Sequence, residues 1–211
     1  MSPGPAPGHG VLPGGAPATE PGAEALARRA VSPYTTRQML ARALWNSLGQ
    51  RAFRLTFHNW YRTRNRLLRL FGARIAEPVR LRPSVIIEQP WHLEIGPDSS
   101  IGDRAVIYCL GRVTIGAHVS ISQHAHLCAG THDHTRPDLP LLRPPITIND
   151  HAWIAADAFV GPGVTVGAGA ILGARGCAFR DLEPWTIYGG NPARPLRARA
   201  RFDAPRPPAG R

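Results

Sequence analysis

The sequence contains no lysine, so all 25 of its basic side chains are arginines. Acidic residues are also few, at 14, which leaves a formal net charge of +11 at pH 7. Such a balance is typical of chains that meet polyanions or an anionic membrane surface. The abundance of Ala, Gly and Pro also indicates a codon bias, and the two explanations are compatible.

Cysteine is scarce, and Cys109, Cys128 and Cys177 form an odd set at wide spacing. Such a set does not indicate a disulfide framework, and apolar neighbours favour the interpretation of all three as small core residues. No apolar run reaches the length of about 18 residues that a membrane-spanning helix needs. The N-terminus also lacks a basic region followed by an apolar one, as a signal peptide would have. We therefore expect a cytoplasmic protein.

Large apolar side chains are few in residues 1–32, which are rich in Pro, Gly and Ala. Such a segment cannot bury enough surface to offset the entropy lost on ordering. We predict a disordered tail there.

Residues 33–74 form a basic amphipathic segment in which Leu40, Leu44 and Leu48 lie four residues apart, on one face of a helix. Arginines supply the polar side, and two helices fit, the second ending near Gly72. Two interpretations stay open. The leucine stripe covers the end or side of the following domain, or the helices lie on an anionic membrane surface.

Residues 75–190 follow a period of six residues. Aliphatic side chains recur at this spacing, and most are followed by Gly or Ala. An α-helix does not fit a period of six or this content of Gly and β-branched residues, whereas a hexapeptide repeat does. Three repeats form one turn of a triangular parallel β-helix whose stacked turns bury an aliphatic column. The series are Ile95, Ile101 and Ile107; then Ile115, Ile121 and Leu127; then Ile148, Ile154, Val160, Val166 and Leu172.

The period stops within residues 131–146, where histidines, aspartates and four prolines occur. We predict that the chain leaves the prism there as a loop stiffened by proline. The two ends of the prism need caps, and the helical segment and residues 191–211 are the candidates.

Several stretches carry a resemblance to a known family: "LLRLFGARI", "ISQHAHLCAGTHDH", "WIAADAFVGPGVTVG" and "GNPAR". Over about residues 36–200 the chain resembles the hexapeptide-repeat acyltransferases, and more narrowly the colanic acid biosynthesis acetyltransferases of exopolysaccharide loci. The galactoside, maltose and nodulation-factor O-acetyltransferases are relatives of that group. The resemblance implies a mainly β chain, a left-handed parallel β-helix with N-terminal amphipathic helices and a short C-terminal helical tail. It also implies a homotrimer that uses acetyl-CoA in sites between neighbouring subunits.

The resemblance places the general base at His132, in the stretch Gly130-Thr131-His132-Asp133. Acetyl transfer to a hydroxyl needs a group that removes the hydroxyl proton, and histidine suits this task. The resemblance implies direct transfer without an acyl-enzyme and without a metal. A backbone carbonyl or a carboxylate such as Asp133 would orient the imidazole.

Further site residues are implied by position in the family. Trp153 matches an aromatic along the pantetheine channel, and the backbone groups of Ala156 and Ala174 match hydrogen-bonding positions on that arm. After the later coils, Arg194 and Arg197 match basic positions that lie near the nucleotide phosphates in the family. The full cofactor set is Trp153, Ala156, Ala174, Phe179, Arg180, Arg194 and Arg197, and the acceptor set is His92, Asp133 and His134.

Two alternatives belong to other classes. One is a zinc protein of the γ-carbonic anhydrase type, with ligands from His124, His126, His132 and His134. The other is a non-catalytic trimeric scaffold that binds an anionic surface. With the transferase hypothesis we expect acetyl-CoA and an exopolysaccharide sugar as partners, no nucleic acid, and possible contact with the inner face of the membrane.

Overall fold

The computed structural model describes residues 32–202, so almost all of the predicted disordered tail lies outside the described residues. The first elements of the described residues are helix α1 (Thr36–Leu44), a π-helical turn (Trp45–Gly49) and helix α2 (Gln50–Arg54). Helix α3 (Tyr61–Leu70) follows. Thr35 and Gln38 form a capping box at the start of α1, which satisfies N–H groups that the helix leaves free. No helix among residues 32–202 is long and apolar enough to cross a membrane.

Up to residue 202, where the described part of the chain ends, nineteen short strands follow, together with a 3₁₀ turn at Pro90–His92. The strands are β1 (Arg74–Ile75), β2 (Val79–Leu81), β3 (Ile86–Ile87), β4 (Leu93–Ile95), β5 (Ser99–Ile101), β6 (Val106–Tyr108), β7 (Val113–Ile115), β8 (Ser120–Ile121), β9 (His126–Cys128), β10 (Thr131–His132), β11 (Leu141–Leu142), β12 (Ile146–Ile148), β13 (Trp153–Ile154), β14 (Phe159–Val160), β15 (Thr165–Val166), β16 (Ile171–Leu172), β17 (Cys177–Ala178), β18 (Thr186–Gly189) and β19 (Arg194–Ala198).

Three sheets form the sides of a parallel β-helix of about six turns, which confirms the predicted fold class. Successive strands enter the sheets in rotation, and each strand pairs with the strand one turn away. Sheet A is β1-β4-β7-β12-β15, sheet B is β2-β5-β8-β13-β16-β18-β19, and sheet C is β3-β6-β9-β14-β17.

The aliphatic residues of the six-residue series form the core. In sheet B, Ile101, Ile121, Ile154 and Leu172 are in register and buried. The outward neighbours of these residues stand on the solvent side of the same strands because side chains alternate along a strand. Small residues at the corners have a steric reason: a Cβ at Gly102 would lie 2.6 Å from the backbone nitrogen of Gln123.

The helical segment caps the N-terminal end of the β-helix. Four of its side chains donate hydrogen bonds to carbonyls of the first strand in each sheet, which would otherwise be open edges. The helices therefore satisfy the backbone at the end of the prism. The bonds are Arg69 to Ile75, Asn65 to Val79, Arg64 to Leu81, and the Trp45 indole to Ile87.

The leucine stripe does not take part in this cap, contrary to the first of the two interpretations. Leu40, Leu44 and Leu48 are 68%, 51% and 61% exposed. The opposite face of the continuous helical stretch packs on the β-helix instead, through Trp45 and Phe53, which are fully buried.

The C-terminal end corrects a second prediction. A short helical tail was expected, but Arg194–Ala198 form strand β19, which pairs antiparallel with β18. By pairing with β18, strand β19 covers the edge of sheet B with backbone hydrogen bonds, which a helix could not do. Arg199 adds bonds to the carbonyls of His151 and Gly169.

Candidate active site

The excursion leaves the prism where the chain passes from sheet C to sheet A, between β9 and β12. We name this corner of the prism the C–A edge. Strands β10 and β11 form an antiparallel hairpin at its base. The returning arm passes close to the corner of the preceding turn, since a Cβ at Gly111 would lie 2.5 Å from the carbonyl oxygen of Arg143. The excursion is therefore seated on the prism.

His132 lies exposed on β10, and its orientation is set by the excursion itself. Its Nδ1 is 2.6 Å from the carbonyl oxygen of Leu139. A carbonyl can only accept, so Nδ1 carries the proton and the neutral ring keeps a lone pair on Nε2. Leu139 has φ of 44°, in the left-handed region that non-glycine residues seldom adopt. The backbone at Leu139 is therefore held in an uncommon conformation where it contacts the histidine.

Asp133 does not orient His132. Its carboxylate accepts hydrogen bonds from the N–H and hydroxyl of Thr135 at 3.0 and 2.6 Å. These bonds lower the pKa of Asp133. Asp133 thus stabilises the turn of the excursion, and His134 beside it is exposed. Between the two candidate orienting groups, the geometry selects the backbone carbonyl.

His92 lies on the same C–A edge, in the 3₁₀ turn two turns before the excursion. Its Nδ1 is 3.2 Å from the carbonyl oxygen of Cys109, which lies at the same edge one turn later, between His92 and the excursion. Cys109 is buried, and burial raises the pKa of its thiol to about 12. Such a thiol stays protonated near neutral pH and is a poor nucleophile, as expected of a core cysteine.

Trp153 lies on the outward side of sheet B and is 44% exposed. Its indole nitrogen donates to the Ser122 hydroxyl at 2.9 Å, which fixes the ring against the sheet. Ala156 and Ala174 occupy the next corner, one turn apart, where the Ala156 carbonyl accepts from the N–H of Arg175. Among residues 32–202, the N–H groups of Ala156 and Ala174 make no hydrogen bond, so both can serve a ligand.

Three of the predicted cofactor residues line one cavity of about 380 Å³ near the C-terminal end: Phe179, Arg180 and Arg194. Arg197, farther along the same strand β19 as Arg194, does not line this cavity. Its Cα is in register with Ile187, which pairs with Ile171 and through it with Trp153. Arg197 and Trp153 therefore share one outward row of sheet B, three strand spacings apart.

The structure does not bring all of the predicted residues together in one protomer. His92 and His132 lie at the C–A edge, whereas Trp153 and Arg197 lie on sheet B. In a triangular prism the edge between two sides is opposite the third side. The predicted base and the predicted pantetheine position can therefore meet only if the edge of one protomer faces sheet B of another.

The four histidines of the zinc alternative are also apart. His124 is at a corner, His126 on β9 beside Phe159, and His132 and His134 in the excursion. Burial lowers the pKa of His126. Within residues 32–202, no three His, Cys, Asp or Glu side chains converge as a metal site requires. A single protomer does not assemble this donor set.

The sequence predictions left a backbone carbonyl open as the group that orients His132, but they did not identify two groups that the structure places beside the predicted residues. One is the Leu139 carbonyl, which becomes an acceptor for His132 only through the fold of the excursion. The other is Arg80, which lies in the same outward row of sheet B as Trp153. The six-residue period could have placed Arg80 there, because it immediately precedes the inward-facing Leu81 as Trp153 precedes Ile154.

The fold is that of a hexapeptide-repeat acetyltransferase. None of the known protein-family models matches the chain. It is 44% identical over 160 residues, 76% of this chain and 88% of the relative, to WcaF of Escherichia coli (strain K12), an acetyltransferase assigned to colanic acid biosynthesis. The chain belongs to this family of acetyltransferases, which confirms the resemblance in its sequence.

Solved structures agree with the fold. A hexapeptide-repeat acetyltransferase of Vibrio cholerae superposes with a TM-score of 0.71 at 26% identity, covering 79% of this chain and 95% of that one. Galactoside acetyltransferase, solved with coenzyme A, superposes with a TM-score of 0.72 at 23% identity, covering 79% and 84%. The Vibrio protein has also been solved with acetyl coenzyme A.

Proposed function

We propose that the protein transfers an acetyl group from acetyl-CoA to a sugar hydroxyl of an exopolysaccharide or its precursor, with His132 as the general base. The observation that carries the proposal is the bond from His132 Nδ1 to the Leu139 carbonyl. This bond fixes the tautomer that leaves Nε2 free to accept a proton. The relatives' names and their complexes with acetyl-CoA or CoA support the donor and the sugar acceptor.

The reaction follows from these groups. Nε2 of His132 takes the proton of the acceptor hydroxyl while its oxygen attacks the thioester carbonyl. The tetrahedral oxyanion then collapses, the carbon–sulfur bond breaks, and the imidazolium returns the proton to the departing thiolate. The products are the O-acetyl sugar and CoA, and no protein side chain becomes acylated. The buried thiol of Cys109, with its raised pKa, is unsuited to an acyl-enzyme step.

We infer a homotrimer in which each site uses two protomers. The C–A edge of one protomer would supply His132 and His92. Sheet B of its neighbour would supply Trp153 and Arg197, and the corner that follows β13 would supply Ala156. The opposition of edge and sheet within one prism supports this assignment. Heterologous contacts of this kind close into a ring when the rotation between subunits is 120°, about a three-fold axis.

The activity is tested by incubating the purified protein with acetyl-CoA and a panel of neutral and acidic glycans. We expect release of free CoA that depends on the glycan, and a product whose NMR spectrum shows one ester on a sugar hydroxyl. Inductively coupled plasma analysis of the same sample measures zinc. Stoichiometric zinc with no acetylated glycan would contradict the proposal.

We further propose that the exposed side of α1 and α2 contacts the anionic cytoplasmic face of the membrane. From Ser32 to Ala76 the chain has no acidic residue. The exposed leucine stripe is bounded by Arg37 at one end and Arg51 at the other, and both are exposed. Among residues 32–202 neither has an ion-pair partner. An apolar stripe with a cationic rim is the pattern of helices that lie in the membrane interface.

Cosedimentation with vesicles of phosphatidylglycerol and phosphatidylcholine measures this contact. We expect the double variant Leu40→Glu, Leu44→Glu to bind the vesicles at least about tenfold more weakly than wild type. The variant replaces apolar area that would enter the membrane interface with negative charge, which anionic lipid repels. Leu196→Glu, equally exposed but at the other end of the β-helix, is the matched control and should pellet as wild type. Equal pelleting of all three proteins would remove the proposal. Loss of the trimer in the double variant would instead make the stripe a subunit contact.

A further inference from the structure

A groove of about 470 Å³ extends from Trp153 toward the N-terminal helices, along the outward side of sheet B. Its lining includes the Tyr61 ring, the hydroxyls of Ser100 and Ser120, and Arg80. Of the residues that the structure describes, 32–202, no acidic side chain lines it. The groove therefore offers aromatic and hydroxyl surface, suited to a sugar, together with a positive charge.

The register of sheet B sets the order of these groups. Arg80 pairs with Ser100, Ser100 with Ser120, and Ser120 with Trp153. Neighbouring strands lie about 4.8 Å apart, so the backbones at Arg80 and Trp153 are separated by about 14 Å. Arg197 lies at the same number of strands from Trp153 on the other side. The predicted phosphate contacts of the cofactor are thus on the C-terminal side of Trp153, and Arg80 is on the N-terminal side.

The two arginines of the groove differ in their partners. Arg82 is paired with Asp103 at 3.4 Å and contacts the His58 ring. Arg80 is exposed, and no other residue between 32 and 202 accepts a hydrogen bond from it or forms an ion pair with it. The charge of Arg80 is therefore available to a ligand, whereas that of Arg82 is largely balanced by the protein.

We propose that Arg80 is a specificity-determining residue that binds an oxyanion on the acceptor, either a carboxylate on the glycan or a phosphate on its carrier. This inference rests on the proposed acetyl transfer. The planar guanidinium matches either anion with two parallel hydrogen bonds. Ser100 and Ser120 lie between this anion and Trp153, where they bind hydroxyls of the intervening sugar. The acceptor is accordingly an acidic saccharide.

The test compares acceptors in matched pairs, with Arg80→Gln as the variant. One pair is an oligosaccharide bearing a carboxylate and its methyl ester, and the other is a saccharide with and without a terminal pyrophosphate. We expect wild type to prefer the charged member of one pair, which identifies the source of the anion. Arg80→Gln should raise KM for that member about 10–100-fold, the value of a lost charged hydrogen bond. Its KM for the neutral member and for acetyl-CoA should not change.

Arg66→Gln is the matched control, since Arg66 is exposed on α3 outside the groove and should leave both preferences intact. Arg80→Lys should restore part of the preference, because it keeps the charge but not the paired geometry. Acetylation of neutral and charged glycans alike by wild type, or an unchanged preference in Arg80→Gln, would overturn this inference and leave the acetyl transfer standing. Absence of transfer to any glycan would overturn both.

Discussion

Replacing His132 with alanine is expected to lower kcat for acetyl transfer by a factor of about 10²–10⁴, the usual contribution of a positioned general base. The physical reason is that Nε2, which carries the lone pair of the tautomer in which Nδ1 donates to the Leu139 carbonyl, has no substitute in the described site. Steady-state kinetics with saturating acetyl-CoA measures the effect.

Three properties of the same variant serve as controls. His132 is exposed at the base of the hairpin, so its removal should leave the melting temperature and the trimer mass unchanged. Affinity for CoA should also persist, since the predicted cofactor residues lie on sheet B and near the C-terminal end. Added imidazole should restore part of the rate. Normal turnover by His132→Ala would sink the assignment of the base.

Replacing Arg64 with methionine is expected to reduce the free energy of unfolding by about 3–5 kcal/mol, because several buried acceptors lose their donor together. Arg64 is fully buried, and its guanidinium donates to the carbonyls of Leu81, Phe57 and His58 and to the Thr56 hydroxyl. Burial also lowers the pKa of Arg64. The bond to Leu81 joins the helical cap to the first strand of sheet B.

Urea denaturation of Arg64→Met and Arg66→Met compares the free energies of unfolding for a buried and an exposed arginine of the same helix. Arg66 is exposed on α3, and its substitution should change the free energy of unfolding by no more than about 0.5 kcal/mol. Equal stabilities for the two variants would show that the buried arginine does not hold the cap. Arg64→Lys should remain destabilised, since one ammonium group cannot reach the same four acceptors.

The sequence predicts the β-helix well because the rule behind it is local. Each inward position must be aliphatic and each tight corner small, so Ile101, Ile121 and Ile154 can be recognised without their neighbours in space. The helices were harder to orient. Leu40 and Trp45 belong to opposite faces of one helical stretch. The face that is buried is the one whose Trp45 indole donates to the carbonyl of Ile87, a tertiary contact that the helical pattern alone does not reveal.

Residues of the candidate site could be predicted only where they match functional positions of the acetyltransferase family. His132 is such a case, and its role stays a prediction. A backbone carbonyl was one of two expected orienting groups, but which carbonyl was not predictable, because that of Leu139 reaches the imidazole through a loop conformation with a positive φ. Arg80 was missed for a different reason. It is 20 residues from Ser100 but 73 from Trp153 along the chain. The excursion interrupts the six-residue period between Arg80 and Trp153, so the sequence spacing does not show that they share one row of sheet B.

Mixing two inactive variants tests most directly whether His132 of one protomer acts on a cofactor held by its neighbour. His132→Ala and the double variant Trp153→Ala, Arg197→Ala would be refolded together from denaturant and assayed at an acetyl-CoA concentration where each parent is inactive. In a random trimer, about a quarter of the sites would combine an intact edge with an intact sheet B. We predict recovery of about that fraction of wild-type activity. Activity no higher than that of the parents, in mixed trimers verified by mass, would contradict a site shared between protomers.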